Sequence, residues 1–296
     1  MSGADTLRVV TYNVRYASLD RGSRAWPNRR DAVAATIRLH DPDLLCLQEV
    51  WRAQLPDLRE RLPGYEWVAE RHRVGEHTPI GYRPERLDVV SASTFALAPD
   101  PDDVGATGWD AAVPRVATAA TVRDRATDAE PDVTFNLVNV HFDHAGATAR
   151  RESARLVRDR LGVGQGSSAD RQSSAGQGSS ADRVTDSDRA LLVGDLNARP
   201  ASGPYRSLVE RPGPFVDARQ VADARFGPGE TYVGFDGEGA EAGADRDSTR
   251  GRRIDYVLVR GFDVTLYATS TAAERSWRRP SDHLPVVADL RAAAGP

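Results

Sequence analysis

Six short apolar runs, each about one strand long and most closed by a polar side chain, restrict what this chain can become more than any other feature. They are LRVVTYNV from Leu7, DLLCLQEV from Asp43, DVTFNLVNVHF from Asp132, RALLVGDLN from Arg189, RIDYVLVR from Arg253 and LPVVADL from Leu284. Val and Leu dominate them and turn-forming or charged residues bound them, the pattern of buried strands. Helical spacing fills the intervals. Asn28 to His40 carries Val33, Ala34 and Ile37 on one face, and Ala147 to Leu161 carries Ala154, Val157 and Leu161. Strands and helices mixed along the whole length predict an α/β or α+β domain.

Two segments break this alternation. From Gly164 to Arg183 the octapeptide GQGSSADR occurs twice, and Asp236 to Arg250 reads DGEGAEAGADRDSTR. Neither offers an apolar face to bury, so both are expected as flexible insertions, at about 162–188 and 236–250, in a single domain covering 1–296.

Charge and composition exclude some functions. Hydrophobic content of 40% with 28% charged residues suits a globular protein, and no apolar run approaches the ~20 residues that a membrane-spanning helix needs. The start, MSGADTLRVVTYN, has neither the basic nor the apolar part of a secretory signal, so a cytoplasmic protein is expected. Cys46 is alone, cannot close an internal disulfide, and reads as core filling. All 39 basic residues are Arg, and Asp outnumbers Glu. A salt-adapted cytoplasm explains both biases, and a GC-rich genome the first. A net charge of -4 argues against a protein that holds nucleic acid through a broad basic surface.

The polar residues at the ends of the runs are the chemical content. Asn13 closes the first run, Glu49 the second and His141 the third. Asp195 and Asn197 follow RALLVG, Asp255 precedes YVLV, and Asp282 and His283 precede LPVVADL. Strand ends meet at one edge of a sheet, so distant sequence can build one polar site there. Each residue also has an ordinary reading: Glu49 as a strand-end carboxylate, Asn13 in a turn, Asp195 and Asn197 as an Asx turn or helix cap. Their co-occurrence carries the case. Oxygen-rich, cysteine-free ligation suits Mg²⁺ or Mn²⁺, and histidines beside carboxylates suit proton transfer or stabilisation of phosphate charge.

Taken in order, TYNVR, LQEV, NVHFDH, GDLNARP, RIDYVLV and SDHLPV resemble the endonuclease/exonuclease/phosphatase superfamily, which includes DNase I-like nucleases, abasic-site endonucleases, sphingomyelinases, inositol phosphatases and deadenylases. The resemblance runs from Asn13 to His283. It implies a four-layer α/β sandwich, two packed and mainly antiparallel β-sheets flanked by helices, with the active site at one end. It implies Glu49 as principal metal ligand, with Asn13 and Asp282 beside it. Asp195 corresponds to the residue that orients or deprotonates water, and Asn197 to a phosphate donor. His283 corresponds to the phosphate-contacting histidine, with Asp255 as its carboxylate partner. His141 corresponds to the second histidine, a candidate general acid, and Glu76 stands where a carboxylate would orient it.

GATGWDAAVPRVAT resembles a little-characterised prokaryotic branch of that superfamily, in which Trp109, Asp110 and Arg115 recur. Arg115 is a candidate clamp for a phosphate or sugar acid, and Trp109 for stacking on a ring. A buried Trp with a salt-bridged Arg is the structural alternative. The expected activity is Mg²⁺-dependent phosphoester hydrolysis by in-line attack of water, with Mn²⁺ as a substitute. The alternatives are a DNA or RNA nuclease and, less favoured, an inactive binding module. The expected partner is a phosphoester substrate, with nucleic acid as the alternative; no membrane insertion or obligate protein partner is expected.

Overall fold

A computed structural model describes residues 5–69, 77–125, 132–161, 188–210, 214–235, 252–272 and 279–293. All six apolar runs are strands in it. The chain opens with β1 (Leu7–Asn13), α1 (Trp26–His40), β2 (Leu44–Gln48), α2 (Gln54–Arg61), β3 (Glu66–Val68) and β4 (Ile80–Tyr82). It continues through β5 (Leu87–Ala96), β6 (Val116–Asp124), β7 (Val133–His141), α3 (Ala147–Arg160), β8 (Ala190–Asp195) and α4 (Gly203–Val209). β9 (Val216–Asp217), α5 (Ala218–Val221), β10 (Ala224–Phe226), β11 (Asp255–Arg260), β12 (Phe262–Thr269) and β13 (Val286–Ala292) complete it. Both helices read from periodicity are present. The first starts earlier, at Trp26–Pro27, because proline fits the first helical turn. The two proposed insertions fall almost wholly outside the described residues.

Two sheets form, in the orders β10-β12-β13-β1-β2-β4-β3 and β5-β6-β7-β8-β11-β9. They are mixed but mainly antiparallel: β1 with β2, β7 with β8, and β10 with β12 run parallel, and the other pairs antiparallel. The first two parallel pairs are joined by crossover helices, α1 and α3, as parallel neighbours require.

Strand alternation sorts the side chains into layers. Leu7, Val9, Leu44, Cys46, Leu137, Leu191, Val193, Val257 and Val259 face inward and share one cluster between the sheets. Val10, Tyr12, Leu45 and Leu47 face outward and pack with Trp26, Val33 and Ile37 of α1. On the other sheet Val138, Val140, Leu192 and Leu258 pack with Ala154 and Val157 of α3 and Leu208 of α4. The result is four layers: helix, sheet, sheet, helix. Fully burying one such Leu or Val contributes about 2 kcal/mol, and three such clusters support a polar end that is costly by itself.

Between the central cluster and that polar end lies a buried belt of amides. Gln48 Nε2 donates to Asn139 Oδ1 at 2.7 Å and to Thr11 Oγ1 at 3.0 Å. Asn139 Nδ2 in turn donates to the carbonyls of Leu47 and Pro79 at 2.9 and 3.0 Å. This belt locks the two sheets together directly beneath the candidate site.

Candidate active site

The site is built from the last inward-facing residue of each central strand. In β7, β8 and β11, His141 pairs in register with Asp195, and Asp195 with Asp255, so three functional groups stand side by side. In the facing sheet Asn13 ends β1 beside Gln48, and Glu49 follows at once. Parallel β1/β2 and β7/β8 therefore deliver their C-terminal ends to the same place, where antiparallel β11 begins and the chain turns into β13.

Backbone conformation aims these residues. Glu49 and Asn197 adopt φ of 59° and 44°. Asn tolerates the left-handed region, but for Glu it costs of order 1 kcal/mol, a strain typical of functional positions. Gly194 sits at φ 134°, and a Cβ there would lie 2.1 Å from the Val140 carbonyl oxygen, so only glycine lets β8 lie against β7 just before Asp195.

Glu49, Asn13 and Asp195 are directly connected. Asn13 Nδ2 donates to Glu49 Oε1 at 3.0 Å and to Asp195 Oδ2 at 3.2 Å, while the Tyr16 amide donates to Glu49 Oε2 at 2.7 Å. Burial favours the neutral form of Glu49, but positive charge on His141 and His283 and these hydrogen bonds outweigh it, holding the carboxyl at about 2. Asp195 is raised instead, by burial and by the charge of Asp255, which makes it a better base than a surface carboxylate. Asp282 meets Arg15 Nη1 at 3.1 Å and accepts from Ser281 Oγ at 3.2 Å.

His283 is held as an imidazolium. Its Nδ1 lies 2.9 Å from Asp255 Oδ2, and its ring makes an edge contact with Tyr232 at 5.0 Å. Burial lowers its affinity for a proton, but the charge and hydrogen bond of Asp255, followed by Asp195 and Asp282, push it up to about 10. Nε2 is left facing Asp195 Oδ2 at 3.8 Å.

His141 is the opposite case. Arg115 Nη1 lies 2.9 Å from its Nδ1, and the Asn197 carboxamide is 3.1 Å from its Nε2. Burial, then the Arg115 charge, lowers it to about 4, so the environment favours a neutral imidazole over the protonated general acid that the sequence suggested. Arg115 also departs from its expected role as a substrate clamp. Both terminal nitrogens already engage imidazoles, Nη1 on His141 and Nη2 on His144 at 3.1 Å. Glu76 lies outside the described residues. Trp109, at φ 51° and 37% exposed, stands in the loop before β6, whose Asp110 and Ala112 are tied to the segment 143–149.

This arrangement coincides with a match to known proteins. The model of the Endonuclease/Exonuclease/phosphatase family matches residues 10–172 and 175–283, spanning every strand-end residue described above. The chain belongs to this family. A family member of known structure from Bacteroides vulgatus is 30% identical, covers 97% of this chain and 99% of its own, and superposes with a TM-score of 0.80. A mannosyl-6-phosphatase from Bacteroides thetaiotaomicron is also 30% identical, over 96% of this chain and 99% of its own, with a TM-score of 0.74. An uncharacterised mimivirus protein, L388 of Acanthamoeba polyphaga mimivirus, is 27% identical over 129 residues, 40% of this chain and 46% of its own length. The family is one of phosphoester hydrolases, and this chain is an enzyme of that kind.

A place for a metal ion fits this endonuclease/exonuclease/phosphatase site. Asp195, Asp255 and His283 bring ligand-type atoms within 4.8 Å of one another, but a protonated His283 paired with Asp255 has no lone pair for a cation, which leaves the metal to the Glu49 side of the site. His283 Nδ1 and Asp255 Oδ2 already face each other as a hydrogen bond, while Asp255 Oδ1 is buried without a hydrogen-bond partner. Glu49 is the one of the four site carboxylates that keeps an intermediate exposure, and its neighbours Asn13 and Asp282 offer further oxygens.

Several supporting residues escaped the sequence reading. Arg29 of α1 is buried and donates to the carbonyls of Val14, Arg24, Arg15 and Pro280, stapling the loops after β1 and before β13. Its signal was its position one turn before Val33 on the apolar face. Ser281 donates to the Asn13 carbonyl at 2.7 Å, and buried Gln54 accepts from the amides of Ala17 and Trp51. Thr231 Oγ1 accepts from the amides of Ile254 and Asp255, fixing the start of β11. No local pattern points to these three, because each acts on a partner remote in sequence or in a loop.

Proposed function

We propose that this protein is a Mg²⁺-dependent phosphoesterase, with Mn²⁺ as a substitute, acting on a small phosphomonoester such as a sugar phosphate. The observation that carries this reading is the convergence of Glu49, Asn13, Asp195, Asn197, His141 and the Asp255–His283 pair at one end of the two sheets. Similarity across nearly the whole length to a mannosyl-6-phosphatase supports the substrate class. The net charge of -4 favours a small anionic ester over a polynucleotide.

Glu49, assisted by Asn13 and Asp282, would hold the cation, since an all-oxygen donor set suits a hard ion. When bound, such a cation neutralises phosphoryl and leaving-group oxygens. Asp195 orients water and accepts its proton, a role suited to a carboxyl whose affinity for protons burial has raised. The His283 imidazolium and the Asn197 carboxamide stabilise charge on the equatorial oxygens. Trp109 offers an exposed aromatic face for a leaving-group ring, in a loop packed against the turn that follows His141.

The test is substrate profiling after exhaustive chelation, with Mg²⁺ or Mn²⁺ added back. Sugar phosphates, other phosphomonoesters, phospholipids and nicked or linear DNA form the panel. Turnover of a sugar phosphate that vanishes with chelator and returns with Mg²⁺ supports the proposal. Activity indifferent to chelation overturns the metal assignment, and activity confined to DNA or RNA overturns the substrate class.

A further inference from the structure

Resting on the phosphomonoester reading, we propose that the Arg15 guanidinium is a substrate contact. It donates to the non-bridging oxygen that a phosphomonoester leaves open and that a diester carries as its second ester link.

Backbone strain singles this residue out. Among the described residues, six that are not glycine have positive φ, and two of them, Glu49 and Asn197, belong to the site. Arg15 is a third, at φ 61°. It lies two residues past the end of β1, whose parallel neighbour β2 runs directly into Glu49. Strain of this kind persists only where the surroundings impose it, and here they do. The Arg15 amide donates to Asn13 Oδ1 at 3.0 Å. Its carbonyl accepts from Gln54 Nε2 at 3.0 Å and from Arg29 Nη2 at 3.2 Å, both on buried side chains. The next amide, that of Tyr16, donates to Glu49 Oε2 at 2.7 Å. The backbone around Arg15 is therefore tied to Asn13 on one side and to Glu49 on the other.

The side chain is fixed but keeps an open edge. Nε lies 3.2 Å from Asp20 Oδ2, and Nη1 lies 3.1 Å from Oδ2 of Asp282, the residue before His283. Those carboxylates are nearly buried, whereas the Arg15 side chain stays 27% exposed. Arg115 keeps only 6%, and Arg29 is buried with all three nitrogens on main-chain carbonyls. Among the described residues, Nη2 of Arg15 has no acceptor. A guanidinium has only donors and keeps its charge at any working pH, so the group that suits this edge is an anionic oxygen.

A monoester dianion presents three non-bridging oxygens and a diester two. His283 and Asn197 already serve oxygens of the phosphoryl group in the proposed function, and a donor from the Glu49 side matches one more. A diester would set a carbon-bearing oxygen there, with less charge to meet the guanidinium. Arg15 thereby favours monoesters over diesters, a choice that Glu49, Asp195 and His283 do not make by themselves.

Titration calorimetry of the full chain with methyl phosphate and with dimethyl phosphate tests this. Mg²⁺ is present and the pH is about 8, well above the second ionisation of a phosphate ester near about 6. The wild type should bind methyl phosphate the more tightly. Arg15→Gln should weaken methyl phosphate about 10- to 100-fold, the scale of a hydrogen bond to a charged group, and dimethyl phosphate less than about threefold. Arg15→Lys, a point charge without the planar fork, should fall between the two. Arg15→Gly removes the guanidinium yet suits φ 61°, so it should match Arg15→Gln without disturbing the backbone, and it decides the matter if Arg15→Gln fails to fold.

A wild type that binds both esters equally, or neither, overturns the proposal. So does a loss in Arg15→Gly that is equal for both esters or absent for both; a lowered Tm with an unchanged ratio would make Arg15 a purely structural residue. The ratio needs no turnover, so it stands apart from the proposed function, which fails instead if wild-type activity ignores chelation or is confined to DNA or RNA.

Discussion

Replacing Gly194 with alanine tests how fold and site are joined. Gly194 precedes Asp195 and pairs with Val140 across the parallel β7/β8 contact. Two effects add. An alanine held at φ 134° costs about 1–3 kcal/mol of backbone strain. Its Cβ would lie 2.1 Å from the Val140 carbonyl oxygen and 3.0 Å from the Val140 carbonyl carbon, and overpacking of that kind costs about 1–3 kcal/mol more. The obstacle is backbone in the middle of a sheet, so no rotamer change relieves it. The expected loss is therefore about 2–6 kcal/mol, which at about 2–4 °C per kcal/mol for a large domain lowers Tm by roughly 4–24 °C. Relief by local displacement would move Asp195, and a shift near 1 Å in a positioned group costs about 100-fold in rate. Calorimetry and steady-state kinetics on Gly194→Ala are the assay, with Gly203→Ala as control. Gly203 begins α4, and a Cβ there would meet nothing within 4 Å, so its variant should melt within about 2 °C of wild type. A Gly194→Ala protein that melts as the wild type does and keeps its kcat would refute the reasoning.

Other expected outcomes follow from the same geometry. Asp195→Asn and His283→Ala should each lower kcat by several orders of magnitude while circular dichroism and Tm show a folded protein; near wild-type turnover would remove them from the mechanism. Asp255→Asn should lower kcat by about three to four orders, as when a histidine loses its orienting carboxylate in a hydrolase triad. Its pH dependence carries a sign. His283 is raised from 6.5 to about 10 in the folded state, so the stability from its pairing is complete below about 6.5 and lost as pH rises through about 10. Thermal melts across that window should show a smaller decline in Asp255→Asn than in wild type. Asp110 accepts from the Ala149 and Thr148 amides at 2.6 and 3.1 Å, at the start of α3, and the Ala149 bond above all lowers its pKa. Asp110→Ala should therefore melt below wild type at pH 7, and the difference should close as pH falls through the depressed value; a gap that persists in strong acid argues against a charge-assisted cap.

Much of the site was legible because strand ends are visible locally. A Val- and Leu-rich run that stops at Asn13, Glu49, His141 or Asp195 announces both the strand and the polar group at its end. Seven strands did not announce themselves: β3, β4, β9 and β10 have two or three residues each, too few to show alternation, and β5, β6 and β12 interrupt their apolar residues with Ser, Thr, Asp or Ala. The roles of Arg115 and Arg29 were also hidden. A lone arginine reads as a surface charge or a ligand for anions until its neighbours are known.

By itself the sequence determined the alternation of strands and helices and the inventory of carboxylates, amides and imidazoles available for chemistry. Those follow from local periodicity and residue type. Only the tertiary structure decided which groups meet: Asn13 with Asp195 across 182 residues, Ser281 with Asn13 across 268, and two histidines given opposite charge states by an aspartate and an arginine. Protonation and hydrogen-bond direction depend on distances of a few ångströms between segments far apart in the chain, and those distances are fixed by sheet pairing and packing.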